Sequence, residues 1–382
     1  MKVPLLDLHA SHEPIKAQIE AAIGDVLASQ GFIMGPKVKE LEETLARYVG
    51  VPHAIACASG SDALLLALMA LDVGPGDEVV TTPYSFFATA GCIARLQARP
   101  VFVDIDPGTF NINVSKVEAV LTPRTKAIMP VHLFGQCANM DELMALSRRH
   151  NIPVVEDAAQ AIGARWKRDS AGAMGTFGCF SFYPSKNLGG YGDGGLITVR
   201  DPALDTKLRA LRTHGGVKKY YYQYVGMNSR LDALQAAILL VRFQQLEKLH
   251  TARQHNACRY YALFTDAGLT GLVTLPEQDL RTFHVYNQFV IRVPQRDALQ
   301  AYLKEKGIGT EVYYPLSLHQ QPCFEYLGYQ AGDFPVAEEA ARSSLAIPIY
   351  PELSEEQRAY VVATIAAFYR ERGLLPQQER AA

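Results

Sequence analysis

Apolar and polar positions follow two rhythms along this chain. Short apolar runs recur: EVV from Glu78, PVFVDI from Pro100, KAIMPVHL from Lys126, IPVVED from Ile152, TFGCFSF from Thr176 and GLITV from Gly195. Most are rich in Val and Ile, and several are apolar on both faces, which suits strands covered by helices on both sides. Between them lie stretches with helical spacing, among them FFATAGCIARL and NMDELMALSRRH. An earlier one, KVKELEETLARY over 37–48, puts Val38, Leu41 and Leu45 on one face. This alternation predicts an α/β domain with a mostly parallel central sheet.

A long helical pattern covers 231–262 without proline or glycine, and after it the rhythm changes. HVYNQFVIRV reads as a strand, RDALQAYLKEKG as a helix ended by Gly307, and IGTEVYY as a second strand. That is a small α+β unit. The expected boundary falls near 245, inside the long helix. A large domain over 1–245, N-terminal arm included, precedes a small C-terminal domain over 246–382. There is no internal repeat, and the tail PQQERAA is expected to be mobile.

Composition narrows the function classes. The chain has 382 residues, and Lys plus Arg number 37 against 39 acids, so neither nucleic acid nor an anionic membrane is expected as the main partner. Cysteines stand at 57, 92, 137, 179, 258 and 323 with no Cys-x-x-Cys pair, which predicts buried free thiols and no metal site. The longest apolar run, Ala63 to Leu71, is too short to span a bilayer, and MKVPLLDLHASHEPIK lacks the apolar stretch of a signal peptide. A cytoplasmic location is expected.

Three segments carry candidate chemistry. In CASGSDALLLALMAL, residues 57–71, small residues lead into a helix starting near Ser61. Free N–H groups and the positive end of the helix dipole make such a start an anion site. Ser59 and Ser61 are each able to cap the helix or touch a phosphate, and an ordinary N-cap explains them as well. In IPVVEDAAQAIGA the strand ends in Glu156 and Asp157, at the edge where open α/β sheets bind ligands. A buried carboxylate there needs a cationic partner, and a protonated ring nitrogen would serve; a helix-capping aspartate is the alternative. Gln160 shares its face if a helix begins here.

The third segment is FSFYPSKNLGGYGDGG, residues 180–195. Its glycines 190, 192 and 195 satisfy Gly-x-Gly-x-x-Gly, but a dinucleotide motif must open a helix, and the strand pattern LITVR follows instead. The glycines imply positive φ or close approach of other groups. Lys186 follows the strand TFGCFSF. It is either a surface loop lysine or a desolvated nucleophile toward an aldehyde. Together, an anion-binding helix start, a buried acid after a strand and such a lysine are the parts that bind pyridoxal 5'-phosphate: phosphate on the helix, Asp on the ring nitrogen, Lys on the aldehyde.

At this point the chain resembles the DegT/DnrJ/EryC1/StrS family of nucleotide-sugar aminotransferases over almost its whole length. The resemblance runs from PLLDL and GFIMGPKVKELEETLA through GPGDEVVTTPYSFFATA, DIDPGTFNI, PVHLFGQ, VVEDAAQAIGA, FSFYPSKNLGGYGDGG and GMNSRLDALQAA to YYPLSLHQQP. It implies a fold type I aminotransferase that is a homodimer with shared active sites. Lys186 then matches the Schiff-base lysine, Asp157 the acid on the pyridine nitrogen, and Gln160 the residue near the ring hydroxyl. Phe86 matches the aromatic over the ring. Gly60, Ser61 and Asp62 match the phosphate-binding turn, Ser181 a phosphate-binding hydroxyl, and Asn228 a phosphate contact from the neighbouring subunit. Relatives with histidine in place of Lys186 are dehydratases, so the lysine favours transamination. Ser-Asp follows Gly60 where many relatives show Thr-Asp or Thr-Ala, and the hydroxyl is retained.

The resemblance further implies transfer of an amino group from glutamate to a nucleotide-linked keto sugar by ping-pong chemistry, with Lys186 as the base and acid. In THGGVKKYYYQYVGMNSRLD, lysines and tyrosines beside His214 resemble the branch that acts on 3-keto sugars, including uronates. A solvated loop with core tyrosines is the alternative. Tyr183, His214, His284, Tyr314 and His319 are candidates for the substrate side, each equally open to a structural role. His132, at a strand end, is explained equally by packing. The competing functions are a 4-keto sugar or cyclitol aminotransferase, a sugar dehydratase, and a catalytically silent sensor on the same fold.

Overall fold

A computed structural model describes residues 1–376, so residues 377–382 of the expected mobile tail lie outside the described residues. The central sheet is built from β1 (His53–Cys57), β2 (Glu78–Thr81), β3 (Arg99–Phe102), β4 (Thr125–Ile128), β5 (Val155–Asp157), β6 (Phe177–Ser181) and β7 (Gly195–Val199). Hydrogen bonding gives the order β1-β7-β6-β5 and β3-β2-β4. Parallel bridges Ile128–Val154 and Val131–Asp157 join the two groups into one sheet. β7 runs antiparallel to β1 and β6, while β5–β6, β2–β3 and β2–β4 are parallel. The expectation of a mostly parallel sheet therefore holds.

Successive side chains on a strand point to opposite faces, and here both faces are covered. Ala54, Ala56, Val154, Phe180 and Leu196 join one cluster, with Leu41 and Leu45 of the helix Pro36–Val49. Ile55, Cys57, Val155, Cys179 and Ile197 join the other, with Leu64 and Leu66 of Gly60–Ala70 and Cys92 and Ile93 of Ala88–Arg95. Double-sided burial explains why GLITV is buried at every position.

The expected single helix over 231–262 is two helices, Ala233–Phe243 and Leu246–Asp266. The ladder tightens between them, with Gln244 N bonded to Val241 O and Gln245 N to Arg242 O, so the regular repeat is lost. Further on, only Phe289–Arg292 of HVYNQFVIRV lies in the strand pair with Ser344–Ile347; the stretch around His284 has left it. IGTEVYY is not a strand. It makes isolated bridges from Ile308 to Val3 and from Glu311 to Ala346. A separate cluster around Tyr260, Phe289, Leu345 and Phe368 fills the C-terminal part and includes Val3. The start of the chain thus packs with C-terminal residues, whereas its sequence position groups it with the larger domain.

All six cysteines are free, but only Cys57, Cys92, Cys137 and Cys179 are buried. Cys258 and Cys323 are exposed, against the expectation of burial: each lies on the outward side of its helical segment. Among the described residues no helix is long and apolar enough to cross a membrane.

Candidate active site

β1 ends at Cys57, and two residues later the chain turns into the helix Gly60–Ala70. Ser59, in extended backbone, is the N-cap: its Oγ accepts from Asp62 N at 3.1 Å, and its carbonyl accepts from Ala63 N at 3.0 Å. Ser61 is therefore not the cap. The N–H groups of Gly60 and Ser61 find no acceptor among the described residues, which leaves two donors at the positive end of the helix. Asp62 departs from its expected part in this turn. Its N–H is taken by Ser59, and its carboxylate accepts from Ser229 Oγ at 2.7 Å.

Gly60 also fixes what lies beside these donors. A Cβ there would stand 2.6 Å from Ser181 Cβ and 3.1 Å from Ser181 Oγ, so the end of β6 presses directly on the helix start. A Cβ at Gly195 would meet Ser59 O at 2.3 Å. Two free N–H groups and a hydroxyl thus converge in one cradle, which suits a phosphate.

At the end of β5 the two acids separate. Alternation puts Glu156 on one face, where its carboxylate accepts from Gly172 N, Met174 N, Gly175 N and His132 Nε2 at 2.7, 2.8, 2.6 and 2.8 Å. Ala138 N donates to His132 Nδ1, so the ring proton is on Nε2 and goes to Glu156. Both residues are fully committed to holding the 172–175 turn, and neither is available to a ligand. Asp157, on the other face, accepts from Thr89 Oγ1 at 2.8 Å and from Ala159 N at 3.2 Å. Burial pushes its carboxyl above the ordinary range, while the hydrogen bonds from Thr89 and Ala159 and the charge of Lys186 pull it down. No helix follows; Gln160 lies in a run of turns. Its Oε1 accepts from Phe134 N at 2.7 Å and its Nε2 donates to Tyr314 Oη at 3.3 Å.

Lys186 sits in a tight turn beyond β6. Its N–H donates to Tyr183 O at 2.8 Å, Gly190 N donates to Phe182 O at 2.7 Å, and Asn187 Nδ2 donates to Val285 O at 3.0 Å. A Cβ at Gly189 would meet Pro184 O at 2.4 Å. The glycine run therefore serves close approach of the chain to itself, and none of glycines 189, 190, 192, 194 and 195 has positive φ. The Lys186 ammonium makes no hydrogen bond or ion pair among the described residues. Burial lowers it from 10.5 to about 8, with Asp157 pulling the other way. Such an amine has a much larger neutral fraction near physiological pH than an ordinary lysine and so is the more nucleophilic.

Around these groups, Phe86 is 59% exposed and lies 6.4 Å from the half-buried Tyr314 ring. Tyr183 is exposed beside the Lys186 turn. Asn228 and His214 are exposed near the hairpin Gly216–Lys218 and Tyr221–Tyr222, whose Tyr220, Tyr221 and Tyr222 project into solvent. His284 and His319, expected as substrate-side candidates, are buried instead. His284 stacks on Tyr286 at 3.8 Å, accepts from Tyr286 N, and is lowered by burial to about 3. His319 pairs with Glu338 at 3.1 Å and packs against Phe334.

Sequence reading missed Thr89 and Ser85, whose Oγ lies 2.9 Å from Thr89 Oγ1. Thr89 lies in the first turn of the helix Ala88–Arg95 and Ser85 in the bend before it, so no helical spacing marks the pair. The same helix reaches the phosphate cradle, where Cys92 Sγ bonds to Ser61 O at 3.2 Å.

Among the described residues, an anion cradle, a buried acid without an ion-pair partner, an amine without a hydrogen-bond or ion-pair partner and an exposed aromatic ring fit the phosphate, ring nitrogen, aldehyde and ring face of pyridoxal phosphate. The comparisons with known proteins agree. A model of the DegT/DnrJ/EryC1/StrS aminotransferase family matches residues 13–366. The chain is 51% identical over 370 residues to a pleiotropic regulatory protein of Geobacillus stearothermophilus, covering 97% of this chain and 99% of that one. It is 44% identical over 365 residues to a UDP-N-acetyl-3-dehydro-alpha-D-glucosamine 3-aminotransferase of Acidithiobacillus ferrooxidans, covering 95% and 97%. The crystal structure of NtdA from Bacillus subtilis with bound cofactor PMP superposes with a TM-score of 0.89 at 32% identity, covering 97% of this chain and 85% of that one.

Proposed function

Since the chain belongs to the DegT/DnrJ/EryC1/StrS aminotransferase family, fold type I enzymes that use pyridoxal 5'-phosphate, we propose that it moves the amino group of glutamate to a nucleotide-linked 3-keto sugar. The observation that carries this reading is the Lys186 amine. Among the described residues it makes no hydrogen bond or ion pair; burial lowers it to about 8, against the charge of the buried Asp157.

When bound, pyridoxal phosphate supplies an aldehyde that carries the amino group and a ring that takes up electrons released at the reacting carbon. Gly60 N, Ser61 N and Ser181 Oγ would hold its phosphate. Asp157 would keep the ring nitrogen protonated, Gln160 would serve the ring hydroxyl, and Phe86 would cover one face. Lys186 Nζ would hold the aldehyde and, when freed, would move protons to and from the reacting carbons of the donor and the sugar.

Asn228 and His214 are exposed beside the tyrosine hairpin, which suits a homodimer in which these elements complete the neighbouring subunit's site. Lys218 and Lys219 on the same hairpin suit a substrate with a diphosphate or carboxylate. The 3-keto assignment is supported by this stretch and by the 3-aminotransferase name of the Acidithiobacillus relative. Incubation with glutamate and a panel of UDP- and dTDP-linked 3-keto and 4-keto sugars tests it. Amine gain by mass in the 3-keto members supports the reading, and gain in the 4-keto members alone overturns it.

A further inference from the structure

We propose that Ser85 and Thr89 form a directed hydroxyl relay that fixes the position and charge of Asp157, and so act as positioning residues for the reaction. This rests on the reading of Asp157 as the acid that meets the ring nitrogen.

Thr89 is completely buried and Ser85 nearly so, in the wall between the sheet and the helix Ala88–Arg95. A buried hydroxyl is costly unless it is hydrogen-bonded, and packing alone would be served by valine and alanine. Thr89 has one proton, which it gives to Asp157 Oδ2 at 2.8 Å. The 2.9 Å contact between Ser85 Oγ and Thr89 Oγ1 must then carry the serine proton toward Thr89. Both protons of the chain therefore point at the carboxylate. This orientation favours the ionised carboxylate, against the burial that disfavours it. A protonated ring nitrogen requires that same ionised form.

The relay also sets geometry. Ser85 precedes Phe86, the aromatic assigned to the ring face, and Cys92 in the helix that begins beside Thr89 bonds to Ser61 O at the phosphate cradle. One short segment thus keeps the acid, the stacking ring and the anion site in register.

The holoenzymes of Thr89→Val, Thr89→Ser and Ser85→Ala, with Asp157→Asn as control, test this. Two quantities are measured: pyridoxal phosphate dissociation, and the pH titration of the bound cofactor's visible absorbance. Thr89→Val keeps the shape and removes the hydroxyl. It is expected to weaken cofactor binding about tenfold, to shift the titration midpoint by about one pH unit, and to lower kcat more than it raises KM. Thr89→Ser restores all three. Ser85→Ala moves them in the same direction by less, and carries the test if Thr89→Val does not fold. If the hydroxyl-free variants leave affinity and titration unchanged while Asp157→Asn alters both, Thr89 and Ser85 only pack and the inference is overturned. If Asp157→Asn also changes neither, the ring-nitrogen reading itself falls and takes the inference with it.

Discussion

Gly60 and Ser181 touch so closely that a methyl group on the first would stand 2.6 Å from Cβ of the second. This contact joins the start of one helix to the end of β6, and it gathers the two free N–H donors and the hydroxyl assigned to the phosphate. The obstacle to a larger residue is Cβ and Cα of Ser181, both tied to the backbone, so it cannot swing aside as the end of a long side chain would.

Gly60→Ala is therefore expected to push the helix start away from β6. Overpacking of this kind costs about 1–3 kcal/mol, and opening the cradle weakens cofactor binding at the same time. Denaturant unfolding of the apoprotein and equilibrium binding of pyridoxal phosphate check the two effects together. Unaltered affinity would show that the cradle does not depend on this contact.

The Lys186 amine gives a pH prediction with a definite sign. Its ordinary value is 10.5 and burial lowers it to about 8, so its neutral fraction rises through about pH 8. Trapping of pyridoxal phosphate on the apoprotein by a hydride reductant, located to the Lys186 peptide by mass, should rise with a midpoint near that value; a midpoint near 10.5 would mean that the amine is solvated. Between the two values the unfolded chain holds a proton that the folded chain has lost. This group therefore adds stability as pH rises from about 8 to 10.5.

Glu156 should separate stability from chemistry. Its carboxylate is wholly buried and accepts from three backbone N–H groups and His132. Glu156→Gln turns an amide NH2 toward these donors in either orientation, and the expected loss is about 3 kcal/mol of unfolding free energy. The holoenzyme spectrum should survive, because the side chain lies on the opposite face from Asp157. A change in the cofactor band without loss of stability would contradict this division of roles.

The parts of the candidate site that are legible in the sequence are those whose chemistry is local. Lys186 stands in an unusual glycine-dense turn, Asp157 ends an apolar run, and the Ser-Gly-Ser start of an Ala/Leu helix marks free N–H groups. Glu156 and Asp157 are adjacent in the sequence, yet strand alternation sends them to opposite faces. Thr89 looks like any hydroxyl in a helix. Only folding brings it to an acid 68 positions away. His284 and His319 show the converse: their residue type invited a substrate role, and tertiary packing commits both to the interior. In the fold, IGTEVYY had the composition of a strand but finds only isolated bridges, and the unbroken pattern over 231–262 concealed a two-residue break because no proline or glycine marks it.

The central claim is that Lys186 anchors pyridoxal phosphate in an amino-group transfer beginning with glutamate. Its most direct test is the visible absorbance of the purified holoenzyme, titrated with glutamate in the absence of any sugar. The account predicts stoichiometric bleaching with release of 2-oxoglutarate in the wild type, and neither the band nor the keto acid in Lys186→Ala. A wild-type band that glutamate leaves unchanged, or a Lys186→Ala protein that yields the keto acid equally well, would contradict it.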